Sequence, residues 1–254
     1  MRADNDLAVI LASILLLGFR VAPVFVFAPP FTLARVPKLV LWLFGFCIAM
    51  MLVVANPDTA RVADLKLSTL TLGAGREFLI GLSPVLALQL FFGSLFFAGR
   101  TIDIQSGFGL ALLIDPSSRG QLPMVGVIFA YLAGVVFFTI NGHHEILRFF
   151  SASLELLPIG APITGNSLPA LLAYVSSIFL LAFGVAAAAI LSLFLTDVVV
   201  AMLSRTVPQL NALLLGIQVK ALLLFFVLPV VVSMSGALLV RMATTALRAI
   251  AELL

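Results

Sequence analysis

Leu168 to Thr196 reads LPALLAYVSSIFLLAFGVAAAAILSLFLT, and the uncharged stretch around it, between Glu155 and Asp197, runs for 41 residues. About 20 apolar residues of helix cross the hydrocarbon core of a bilayer, so a run of this length is a membrane signature. After Pro169, the 27 residues to Thr196 would make a helix of about 40 Å. That exceeds the bilayer core and implies tilt, kinking or burial in protein. Five further runs have the same character: Leu7 to Phe27, Leu39 to Ala55, Phe78 to Ala98, Leu122 to Ile140 and Leu213 to Val240. None alternates apolar with polar residues, which disfavours a transmembrane β-barrel. The expected fold is therefore an all-α membrane protein of about six long apolar helices with kinks.

The whole chain agrees. Of its 254 residues, 63% are hydrophobic and 10% charged, against about 45–50% and about 25% in ordinary soluble domains. Its mean hydropathy is +1.25. Fourteen Lys and Arg against eleven Asp and Glu are too thinly spread for a nucleic-acid footprint. Pro29-Pro30, Asn56-Pro57-Asp58, Asn141-Gly142 and the Pro158 to Pro162 segment punctuate the runs with turn chemistry. The N-terminal run reads as a retained helix: Asp4 and Asp6 offset Arg2, Arg20 interrupts it, and no small-x-small site precedes Pro29. Orientation does not follow from loop charges. Arg2, Arg61, Lys66, Arg76, Arg148, Arg241 and Arg248 fall on one side, and Arg20, Arg35, Lys38, Arg100, Arg119, Arg205 and Lys220 on the other, seven each. Either partners set the topology or these helices are not simple spans.

Residues with chemistry are few. Cys47 is the one cysteine and lies in an apolar run, so the chain forms no disulfide of its own. His143-His144-Glu145 lacks the His-Glu-x-x-His spacing and the further ligands of a zinc site, and reads as an amphipathic interfacial loop. There is no nucleophile elbow and no phosphate-cradling glycine loop. We expect no enzyme, no catalytic residue, no metal and no cofactor. Asp197, a lone acid closing an apolar run, is either a transporter's proton or ion site or a helix-end charge near an interface or paired with Arg205.

Two segments carry more. From Gly99 to Gly120 the chain mixes glycines, Asp115-Pro116 and an apolar patch from Phe108 to Ile114. This suits either a re-entrant, pore-occluding loop or an amphipathic interfacial one. The second runs Ser204-Arg205-Thr206-Val207-Pro208-Gln209-Leu210-Asn211 and on to Gly216 and Lys220. It is either a packed contact with a helix break at Pro208 or an ordinary polar turn.

The order of these pieces resembles the FliR/SctT family, which joins the flagellar FliR branch to the injectisome proteins SpaR and YscT. The resemblance rests on Phe19-Arg20-x-x-Pro23, Arg35-Val36-Pro37, Gly99-x-x-Ile102-Asp103, Gly107-Phe108, Asp115-Pro116, Gly142-His143 and Leu157-Pro158-Ile159-Gly160. Above all it rests on Arg205-Thr206-Val207-Pro208-Gln209-Leu210-Asn211, whose Pro-Gln-Leu-Asn form leans to the flagellar branch. It implies a core subunit of the bacterial flagellar type III export gate, in the inner membrane at the flagellar basal body. Its partners would be FliP-like and FliQ-like subunits, other export-apparatus membrane proteins and unfolded exported proteins. It implies a FliP-like portion over about residues 1–165 and a FliQ-like helical hairpin over about 166–254. It further implies that Gly107, Phe108, Gly109, Leu110, Ala111, Leu112, Leu113, Ile114 and Asp115 plug the channel. Arg205, Pro208, Gln209 and Asn211 are expected at helix or subunit contacts, where apolar surroundings make unsatisfied polar groups costly. The alternative is a small secondary transporter using Asp197.

Overall fold

The computed structural model describes residues 2–33, 36–57, 59–60, 62, 65–108, 123–162, 167–207 and 212–253. Among them are eight α-helices and no strand: α1 Arg2–Phe27, α2 Lys38–Ala55, α3 Leu67–Ser106, α4 Met124–Thr139, α5 Gly142–Leu156, α6 Leu168–Thr206, α7 Ala212–Met234 and α8 Gly236–Glu252. Five of these (α1, α2, α3, α6 and α7) are long and apolar enough to cross a membrane, or six spans if α4 and α5 count as one broken span. The all-helical membrane fold expected from the six runs is what the chain adopts.

Helix boundaries differ from the runs in instructive ways. The third run extends at both ends into a helix of 40 residues, about 60 Å long. Gly99 to Ser106, expected to open an irregular segment, continues α3, where Thr101 and Ser106 return their hydroxyls to the Phe97 and Asp103 carbonyls. The fifth run carries on to Thr206, so Asp197 lies inside α6 and not at its end. The sixth run divides at Ser235 into α7 and α8. His143 and His144 stand in the first turn of a helix, not in a loop. That helix, α5, buries Ile146, Phe150, Ser153 and Leu154 on one stripe, the spacing that docks a surface helix on a core. Its start is set by Asn141 in the left-handed conformation, φ 58°. Pro23, Pro84 and Pro229 lie inside α1, α3 and α7, where each removes a backbone donor.

The chain folds into two compact units. The first comprises Met1–Leu90, Phe137–Val175 and Thr244–Leu254; the second comprises Phe91–Val136 and Ser176–Ala243. In the first, Leu17, Val21, Leu88, Phe137, Ile146 and Phe150 are buried. The α1–α2 crossing there is close enough that a Cβ on Gly45 would lie 2.5 Å from the Ala22 Cα. In the second, Phe91, Phe92, Leu95, Ile102, Phe129 and Leu193 form the interior.

Candidate functional site

Arg20 is wholly enclosed, and so is Glu77. A buried charge is tolerated only when paired and hydrogen-bonded, and the first unit supplies both. Arg20 Nε donates to Glu77 Oε2. Its Nη1 donates to the Ser153 carbonyl and hydroxyl, each at 3.1 Å, and Nη2 donates to the Leu157 carbonyl at 2.9 Å. These carbonyls lie in the last turn of α5 and just past it, where helix C-termini leave acceptors unfilled and favour a cation. Helix α5 has no basic residue of its own in that turn, so α1 provides the charge.

Glu77 extends the cluster. Its second oxygen accepts the Gly160 N–H at 2.9 Å, and the neighbouring Arg76 donates to the Gly160 carbonyl, also at 2.9 Å. Gly160 has φ +81°, a conformation open to glycine at little cost, and both polar groups of its backbone are gripped from α3. The reach of Glu77 depends on Gly81, one turn further along the same helix face: a Cβ there would lie 2.3 Å from the Arg20 carbonyl oxygen. The absent side chain lets α3 approach α1 at the point where the charges meet.

Two polar contacts of a different kind lie in the second unit. Asp103, buried near the end of α3, accepts the Val125 N–H with both carboxylate oxygens at 3.3 and 3.2 Å. Helix α4 starts after Pro123, whose carbonyl accepts the Val127 N–H and whose side chain has no acceptor, so Asp103 caps α4 from another helix. Close by, a Cβ on Gly99 would meet the Gly126 backbone at 2.3 Å. Asp197 on α6 pairs with Lys220 on α7 at 2.9 Å. The Arg205 pairing weighed for Asp197 is corrected to Lys220. Histidine, cysteine and carboxylate groups form no metal-binding cluster among the described residues.

A family model described as bacterial export proteins, family 1, matches residues 11–246. The chain belongs to this family, the FliR/SctT family. It is 28% identical to the flagellar biosynthetic protein FliR of Bacillus subtilis over 85% of this chain and 84% of that one. It is 31% identical to FliR of Escherichia coli over 56% and 55%, and 26% identical to the Yop proteins translocation protein T of Yersinia pestis over 60% of each.

For a FliR/SctT protein, the geometry joins stretches that are far apart in sequence. Phe19-Arg20 and Leu157-Pro158-Ile159-Gly160 meet at Glu77, a residue that the sequence reading did not single out. Arg20 is no loop charge: as a buried residue it leaves the tally of loop charges at six against seven. Of the expected plug, Gly107 ends α3 with φ +95° beside Ile217, and Phe108 is exposed. Gly109, Leu110, Ala111, Leu112, Leu113, Ile114 and Asp115 lie outside the described residues. Arg205 is exposed in the last turn of α6, and Pro208, Gln209 and Asn211 lie outside the described residues, in the interval before α7.

Proposed function

We propose that this chain is a membrane subunit of the type III export apparatus of the flagellar branch, seated in the bacterial inner membrane at the basal body. It completes and helps close a channel for unfolded substrates, with FliP-like and FliQ-like subunits as neighbours and other components supplying energy. The family match across residues 11–246 carries this reading. The exposed apolar helices support it: only 17% of the apolar window of α2, and of α7, is buried within the chain. Such faces need lipid or other subunits, and a channel subunit offers the second. The segment from Gly107 to Asp115 acts here as the plug, because its apolar patch between glycines can exclude water and still rearrange. Residues 1–165 serve as the FliP-like portion and 166–254 as the FliQ-like hairpin. A lone transporter acid at Asp197 finds less support, since Lys220 already neutralises it.

Co-expression with FliP-like and FliQ-like proteins tests the assembly. Native mass spectrometry should find one hetero-complex with a single copy of this chain, and only monomers or homodimers would overturn the reading. Within that complex, deleting residues 107–115 should preserve assembly and raise ion leak. Normal assembly with unchanged conductance would remove the plug role.

A further inference from the structure

We infer that Arg20, Arg76 and Glu77 are positioning residues: they place the connector from Leu157 to Gly160, and with it the start of the hairpin that the proposed export role presents to neighbouring subunits. The inference rests on that role for its consequence, but its geometry is independent of it.

The argument begins from what stability alone would require. A buried ion pair of this kind is replaceable by apolar side chains of similar volume, often with no loss of stability. A design for cohesion could therefore fill the α1–α3 crossing with apolar side chains, as Leu17, Val21 and Val24 do elsewhere on α1. What apolar residues cannot do is bond a backbone. The polar atoms of this cluster are spent largely on backbone: the Ser153 and Leu157 carbonyls take Arg20, and the Gly160 N–H and carbonyl take Glu77 and Arg76. Among the described residues, the Ser153 hydroxyl is the one further side chain that the pair holds.

Charged groups make the shorter and stronger hydrogen bonds. Here they fix a four-residue turn that also has local ties, Leu157 N–H to the Ser153 carbonyl and Ala161 N–H to the Pro158 carbonyl. Downstream, Tyr174 near the start of α6 donates to the Ala87 carbonyl of α3 at 2.6 Å. The connector is thus fastened to α3 on one side of its exit, and α6 is fastened to α3 again on the other. Arg20 and Glu77 set the first anchor and leave the hairpin a defined point of departure.

The test separates placement from cohesion with two variants of the full chain. Arg20→Met/Glu77→Leu keeps the crossing filled and apolar. Arg76→Met removes only the grip on the Gly160 carbonyl from a partly exposed site. Both should purify with the wild-type helical content. Both should show faster amide hydrogen exchange from Leu157 to Ala161, by about tenfold where a charged hydrogen bond is lost. Both should enter the complex with FliP-like and FliQ-like subunits in lower yield, and restoring the charged residues should rescue exchange and yield together. Wild-type exchange in both variants overturns the positioning role whatever the partners do. Faster exchange with wild-type complex yield also overturns it, because placement would then not matter for assembly. If the wild-type chain itself forms no hetero-complex, the export reading fails, and the exchange result still decides the geometry.

Discussion

Among the described residues, Arg20–Glu77 and Lys220–Asp197 are oppositely charged pairs that join helices, and they do so under different conditions. Arg20 and Glu77 are fully enclosed in the first unit, whereas Lys220 and Asp197, in the second, keep 16% and 46% of their side chains exposed. The enclosed pair has a partner for both carboxylate oxygens and for all three guanidinium nitrogens. Desolvation makes such completeness necessary, because one unmatched charge in a dry interior costs far more than the pair gains. The exposed pair is under no such requirement within the chain. The difference teaches that a charge in an apolar helix is decided by its surroundings and not by its run of sequence.

The largest effect should come from breaking the enclosed pair on one side. Glu77→Ala leaves Arg20 buried without a counter-charge, a loss of roughly 3–5 kcal/mol, and should abolish accumulation of folded protein in detergent; a thermal melt like that of wild type would show that the pair is not sealed. Asp103→Ala probes an intermediate case, a buried carboxylate whose hydrogen bonds go to backbone N–H and which also feels the charge of Arg100. Loss of a helix cap costs about 0.5–2 kcal/mol, so the melting temperature should fall by a few degrees, with Asp103→Asn recovering part of it. The smallest effect should come from Asp197→Ala or Lys220→Ala. Exposed pairs contribute about 0–1 kcal/mol, and stability of the purified chain should scarcely move. If α6 and α7 are covered by other subunits in the complex, the same variants should lower complex yield more than they lower the melting temperature. Equal effects in both assays would place the pair outside any interface.

Most of the fold was legible because apolar runs are a local signal. Each of the six runs became helix, and the turn residues after Phe27, Ala55 and Thr139 stand where α1, α2 and α4 end. The extension of α3 was not legible: Ser68, Thr69, Thr71, Gly73 and Gly75 look like a connector, yet the helix runs through them to Arg76 and Glu77, which bond the distant Gly160. Helix α5 was hidden by its three charges and two histidines, which mark an amphipathic helix as easily as a loop. The site was less legible still. Arg20 and Glu77 are 57 positions apart, and Arg20 and Leu157 are 137 apart; no periodicity reports such a meeting. The one available signal was an arginine inside an otherwise apolar run, which asks for a partner.

The first unit takes its residues from the beginning, the middle and the far end of the chain, with Thr244–Leu254 as its last piece. Ser83 of α3 donates to the Ile250 carbonyl there at 2.8 Å. During synthesis, at about 5–20 residues per second, the ribosome would deliver α1, α2 and the start of α3 well before their final companion. Those early helices must wait, with apolar faces unmatched, for roughly ten seconds or more at such rates. Protection in that interval has to come from the insertion machinery or from lipid, so the order of manufacture, and not the finished fold, sets when this subunit is most vulnerable to proteases.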